Sequence, residues 1–367
     1  MVDSVSEPTA TPRPRGLIGY APELIDEIVA LQYEMFPQRE WGLIEPRWRW
    51  MFEESARRVG VAPMVWVYRA SSGVVAHHGA IAVRCKVGDQ TLTTGWFVET
   101  MVHEKYRGRA VGPMLVKKAL EDVPFNLSLG QTTQMREMQF ALGWVEVAPL
   151  PLAALAVRGA RVLTGKGHPA TRPLASLVLD ARRRLGMLRG GTLRGVDVVR
   201  DGAFGAEHDA LWERVAAAVP VAVVRDASFL TWKYRSQPGQ RSVTFDVRQG
   251  ARLLGTVAYV VREPDSAYRY RRAVVTDILV PPSEPASVRA CVRALHDVAR
   301  EDGVDLVSVG LRQPVIEAEL RRQGYLTRPP QRVFLVAGPE GHPVRQWLDA
   351  PDAWFLSTSD SDIDRPW

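Results

Sequence analysis

The chain has almost no cysteine: Cys85 and Cys291 are the only two among 367 residues. Two thiols cannot staple a fold of this size, so a disulfide framework is excluded and a cytoplasmic, reducing setting is expected. They lie in opposite halves, one in a strand-like and one in a helix-like run, and read as buried thiols. No run of about 18 apolar residues occurs, which excludes a membrane-spanning helix. The opening "MVDSVSEPTATPRPRG" has no apolar centre. It reads as a flexible lead-in over residues 1–16 and not as a secretory signal. No His, Cys, Asp and Glu spacing resembles a metal site. His77 and His78 are neighbours that point to opposite faces of a strand, and read as structural or exposed. The aromatic and basic interleaving of a nucleic-acid binder is missing too.

What is present is an ordinary globular composition, 46% hydrophobic and 24% charged, with length enough for two cores. The net charge of +6 is unevenly spread. Residues 158–200 hold nine arginines and one lysine against Asp180 and Asp197, so the remainder is slightly acidic. Within that stretch "PLASLVLDARRRLGML" (173–188) is amphipathic, with Leu174, Leu177, Val178, Ala181, Leu185 and Leu188 on one face. A linker helix docked on its neighbours is the plain reading, which Gly186 and the short length favour. A membrane-surface helix is the alternative.

The chain is written twice. "PELIDEIVALQYEMFP" (22–37) and "AEHDALWERVAAAVP" (206–220) both read as helices ending at a proline. Trp50 follows Pro37 by 13 residues, and Trp232 follows Pro220 by 12. The aromatic segments around them, with Trp48 and Tyr234, read as core. Hairpins follow at 64–83 and 243–261, turning at Ser71-Ser72-Gly73 and near Gln249-Gly250. "WFVETMV" then matches "AVVTDILV", setting Glu99 opposite Asp277, and "LSLG" matches "VSVG". Glu99 to Gly130 spans 31 positions and Asp277 to Gly310 spans 33. This order predicts an α/β (α+β) fold of two tandem domains, each a mixed central sheet flanked by helices. The boundaries read as domains at 17–157 and 205–340, a basic linker at 158–204, and a solvated acidic C-terminal tail with an aromatic anchor at 341–367.

Between strand "ETMV" and helix "VGPMLVKKALEDV" lies the loop Arg107, Gly108, Arg109, Ala110, Val111, Gly112. A glycine-rich basic loop at a helix N-terminus offers free amides and positive charge to a phosphate. Here "VHEKYRGRAVG" resembles the signature Gln/Arg-x-x-Gly-x-Gly/Ala of the GNAT superfamily of acyl-CoA-dependent N-acyltransferases. "NLSLGQT" and "FALGW" are similar to that family's second half. The resemblance covers 37–150 well and 205–337 in outline. It departs at Glu104, where the family often has proline, and at Ala110, which replaces the first motif glycine.

The resemblance implies acetyl-CoA as acyl donor and a small amine acceptor, such as an amino sugar or amino-acid derivative. It implies that Thr100, Met101 and Val102 pair with the pantetheine arm while amides from Gly108 to Gly112 hold the pyrophosphate. Ala110 fits if its backbone stays in the helical or β region. Glu99 stands where the family places its general base, with a salt-bridged strand carboxylate as the other reading; His103 and the His77–His78 pair are in reserve. The family's tyrosine acid falls on Gln139 and its asparagine near Thr132, so the acid is left unassigned. The second copy has Pro281, Pro282, Ser283, Glu284 and Pro285 at its loop, which removes three N–H donors and adds a repelling carboxylate. That half is expected to be structural. Two other classes stay open: a non-catalytic acyl-CoA-binding or scaffold protein, and the aminoacyl-tRNA-dependent transferases of the tandem cell-wall type. The phosphate loop counts against the second of these. Oligomeric state cannot be read from the chain.

Overall fold

Apolar alternation in the first half forms the hairpin of β2 (Met64–Ala70) and β3 (Gly73–Val87), closed at Ser71-Ser72. The second half repeats it as β10 (Val243–Gln249) and β11 (Arg252–Arg262). The computed structural model describes residues 15–163, 169–191, 194–330 and 332–362. The first copy runs β1 (Gly16–Gly19), α1 (Ile25–Met35), α2 (Trp41–Arg49), a π turn at Trp50–Glu54, α3 (Ser55–Val59), and the hairpin. It continues with β4 (Gln90–Val102), α4 (Val111–Asp122), β5 (Asn126–Leu129), α5 (Thr133–Ala141), β6 (Val145–Pro149) and β7 (Leu152–Ala156). The short α6 (Gly159–Val162) and the long α7 (Arg172–Gly190) then lead to β8 (Asp197–Arg200).

The second copy repeats the order. It has α8 (Ala206–Ala216), β9 (Val221–Val223), α9 (Ala227–Tyr234), the hairpin, β12 (Arg272–Leu279) and α10 (Pro285–Glu301). Then follow β13 (Leu306–Arg312), α11 (Pro314–Arg322), β14 (Leu326–Arg328) and β15 (Val333–Ala337), and β16 (Trp354–Ser357) ends the described strands. The helical stripe read at 22–37 buries Leu24, Ile25, Ile28 and Leu31.

The copies exchange strands. β7 pairs with β13 and β14 of the second half, while β15 lies between β5 and β6 of the first. Both are continuous apolar runs, "LAALA" and "VFLVA", suited to the middle of a sheet with both faces covered. Each half's sheet is therefore completed by a strand of the other half. The boundaries read at 157 and 205 fall just after β7 and just before α8.

The matched tryptophans meet where the halves join. The Trp50 and Trp232 rings stack at 4.5 Å, 12° from parallel. Each indole N–H donates to the other residue's carbonyl, at 2.9 and 3.1 Å. Both are buried, as are Trp48 and Tyr234, so the aromatic segments are core.

The expected solvated tail is corrected by the structure. β16 pairs with β9 on one side and β13 on the other, burying Trp354, Phe355 and Leu356, and both Asp360 and Asp362 are buried. The physical reason is Arg225, a fully buried guanidinium that meets Asp360 at 2.7 Å and Asp277 at 2.9 Å. Asp360, which looks solvated along the chain, is a counter-charge of an interior cation.

Candidate functional site

β4 and β5 run parallel but pair at only two positions, Gly95 with Asn126 and Trp96 with Leu127. Beyond Trp96 they part. A cavity of about 250 Å³ opens in the gap, lined among others by Phe97, Glu99, Thr100, Ser128, Gln139 and Asp362. A bulge in β4 shapes its wall: opposite β3, the register shifts between Val98 and Met101. Glu99 takes φ +54 there, a strained conformation for a side chain with a Cβ. The bulge removes the Glu99 carbonyl from the ladder, and His77 Nδ1 meets it at 2.9 Å. Trp48 Nε1 donates to His77 Nε2 at 3.1 Å, which puts the imidazole proton on Nδ1. Burial lowers the His77 pKa, so the ring serves as a neutral brace for the bulge.

The Glu99 carboxylate is held by Arg39, whose two terminal nitrogens reach its oxygens at 2.9 and 3.1 Å. Both side chains are buried. Arg39 is itself fixed by Gln32 at 2.7 Å and by the Phe36 ring 4.1 Å below it. Glu99 is thus both a salt-bridged strand carboxylate and part of the cavity wall. His78 faces the opposite side of β3 from His77. Its Nδ1 lies 2.6 Å from Thr100 Oγ1, and burial pushes its pKa down to about 3. Both histidines are buried and structural. His103 pairs with Glu34 at 2.7 Å and is not among the residues lining the cavity.

The expected cofactor loop follows β4 directly. Thr100 and Met101 line the cavity, and Val102 ends the strand. Arg107, Gly108, Arg109 and Ala110 are exposed. Arg107 Nε donates to the Val102 carbonyl at 3.2 Å, and Arg109 stands over the Tyr106 ring at 5.5 Å. Val111 and Gly112 begin α4, whose N-cap is Ala110 with no side-chain cap. The expectation that Ala110 stays in the helical or β region fails: it adopts φ 59, ψ 11, the left-handed conformation. The loop reverses into the helix through two left-handed residues, Gly108 at φ +75 and Ala110. The chain keeps the turn a glycine would make there, at a cost of roughly 1–2 kcal/mol for the alanine. First-turn amides with no side-chain cap are a fitting cradle for a pyrophosphate.

The second half has the same frame and the opposite outcome. β12 bulges at the matching place, its register shifting between Ala258 and Tyr259, beside Asp277. The gap beyond its pairing with β13 is taken by the chain itself. β16 pairs with the end of β13, and Thr358 Oγ1 donates to the Val275 carbonyl of β12 at 3.2 Å. At the head of α10 the Glu284 carboxylate takes Arg252 at 2.8 Å and Arg214 at 3.3 Å, leaving an internal anion where the first half has arginines.

Asp362 arrives in the first half's cavity from this same C-terminal segment. Sequence reasoning missed it, and no local signal marks it, because 263 positions separate it from Glu99. Gln139 and Thr132 are both in the wall. Gln139 is buried against Ser128 at 3.4 Å, and Thr132 caps α5 by accepting from the Met135 amide at 3.2 Å. Among the described residues one trio, Glu207, His208 and Asp246, is close enough to gather around an ion. Its carboxylates are already taken by Arg248.

No family model matches the chain, and no curated protein matches it in sequence. Solved structures do match it in shape. A GCN5-related N-acetyltransferase from Anabaena variabilis ATCC 29413 superposes with a TM-score of 0.57 at 10% identity, over 87% of this chain and 71% of that one. One from Kribbella flavida gives 0.55 at 15%, over 92% and 72%. A conserved protein of unknown function from Enterococcus faecalis V583, a probable N-acyltransferase, gives 0.59 at 10%, over 87% and 71%. Coverage this broad takes in both halves.

Proposed function

We propose that this chain, which has the fold of the GCN5-related N-acetyltransferases, is an acyl-CoA-dependent N-acyltransferase with a single working site at the parting of β4 and β5. Acetyl-CoA is the donor, and a small amine such as an amino sugar or amino-acid derivative is the acceptor. The observation that carries this reading is the asymmetry of one frame used twice. The first half has an open gap beside an uncapped, arginine-bearing helix start, and the second has that gap filled by residues 356–358.

The amine nitrogen attacks the thioester carbonyl, a C–N bond forms, the C–S bond breaks, the thiolate leaves, and the new amide nitrogen gives its surplus proton to solvent. The amine must first lose its ammonium proton, and Glu99 in the cavity wall is the acceptor for it. His78 Nδ1 lies 2.6 Å from Thr100 Oγ1, and the tautomer with its proton on Nδ1 would leave the Thr100 hydroxyl to donate into the cavity toward developing charge. Gln139, at the place of the tyrosine acid, offers an amide hydrogen bond but no transferable proton, so the thiolate takes its proton from solvent. Holding donor and acceptor together supplies much of the rate without an acid.

The test is acetyl-CoA titration by calorimetry together with thiol release in the presence of an amine panel. One molecule bound per chain with amine-dependent thiol release supports the reading. A second reading, an acyl-CoA-binding protein without turnover, is favoured by Gln139, and binding without thiol release would select it.

A further inference from the structure

Helix α7 is docked on one side and bare on the other. Its inner side carries Gly186 and Gly190, both buried. A Cβ at Gly186 would lie 2.1 Å from the Gln323 carbonyl oxygen, so the helix backbone rests directly on the end of α11. Arg182 donates to the Gly324 carbonyl at 2.9 Å, and Arg293 donates to the Met187 and Gly191 carbonyls at 2.9 and 3.0 Å. These contacts fix the rotation of the helix. They hold the opposite side outward, and that side is the apolar one: Leu174, Leu177, Val178, Leu185 and Leu188 are 68, 66, 60, 48 and 79% exposed. Five large aliphatics at helical spacing form one continuous stripe in solvent, of the kind a monomer rarely leaves uncovered.

Charge decides what covers it. At 100° per residue Arg184 lies along one margin of the stripe and Arg189 along the other, and both are exposed. The helix has five arginines against Asp180, within the most basic stretch of the chain. Self-pairing of this face would bring two such arginine rows together. An anionic lipid surface satisfies both features at once, taking the aliphatics below the headgroups and the guanidiniums at the phosphates. No helix among the described residues is long and apolar enough to cross a membrane, so the contact is one of lying on the surface.

We propose that α7 is a membrane-surface docking helix, which seats the protein on anionic lipid through Leu174, Leu177, Val178, Leu185 and Leu188. The docked-linker reading of this segment describes one side of the helix, and the proposal concerns the other.

The experiment is flotation of the full chain with vesicles of phosphatidylcholine alone and of phosphatidylcholine mixed with phosphatidylglycerol. Light scattering is run in parallel without lipid. The expected result is binding to the mixed vesicles only, weakened by salt. Leu177→Glu with Leu188→Glu lowers that partitioning roughly a hundredfold or more. It leaves the melting temperature nearly unchanged, because those side chains lie mostly in solvent. Absence of binding to mixed vesicles overturns the proposal, as does binding that survives the double substitution. A lipid-free dimer that the double substitution dissociates overturns it in favour of a second copy of the chain.

Discussion

Gly112→Asp separates cofactor binding from folding at the one loop where both were inferred. Gly112 is the second residue of α4. A Cβ there meets only Val102 Cγ2, at 3.6 Å, an ordinary contact, so the added Cβ displaces nothing. An aspartate in a first helical turn also favours the helix by about 0.3–1 kcal/mol. The fold is therefore expected to hold or to gain slightly. The same carboxylate faces the place proposed for a pyrophosphate. Two unit charges 4 Å apart repel by about 1 kcal/mol in water and about 4 kcal/mol at the effective dielectric of a protein surface. Taking roughly 2–4 kcal/mol predicts that acetyl-CoA affinity falls about thirtyfold to a thousandfold. Calorimetry gives the affinity and thermal unfolding the stability. Unchanged affinity in a variant that melts at or above the native temperature would refute the assignment of the loop. A lowered melting temperature would refute the helix geometry.

Replacing Ala110 by glycine removes the left-handed penalty, and we expect a gain of about 1 kcal/mol by chemical denaturation with acetyl-CoA affinity retained. Glu99→Gln is expected to lower turnover about a hundredfold and flatten the acidic limb of the pH–rate curve, with acetyl-CoA affinity unchanged. Because it also removes the carboxylate charge that the buried Arg39 pairs with, the melting temperature should drop with it. Asp360→Ala takes one counter-charge from Arg225 and should cost about 3–5 kcal/mol, whereas a solvated tail would lose almost nothing. Burial, only partly offset by Arg225, pushes the Asp360 pKa up to about 6 from 3.8. The folded state then binds this proton more tightly than the unfolded one. The Asp360 contribution to stability therefore falls as pH rises from about 4 to about 6, and Asp360→Asn should remove that slope.

The duplication, both hairpins, the helices at the head of each copy and the basic loop before α4 were legible along the chain, because each rests on local periodicity, turn residues or spacing. Glu99 and Asp277 were matched by position, and the structure places both beside bulges in equivalent strands. Amphipathicity marked α7 as well, though not which side faced out; that depended on Gly186 meeting a backbone turn more than 130 positions away. The left-handed turn at Ala110 was not legible, since alanine carries no sign of positive φ. Its conformation comes from the need to reverse from β4 into α4. Nor was the strand exchange, because "LAALA" and "VFLVA" are equally suited to either sheet and only the closing of both decides the partner. The acidic end of the chain was misread for a related reason. A carboxylate reads as solvated unless its counter-ion is seen, and for Asp360 that ion is Arg225, 135 positions away and fully buried. Local chemistry determined the elements and the loop. Only tertiary structure decided which gap stays open, because that depends on whether a distant segment of the same chain fills it.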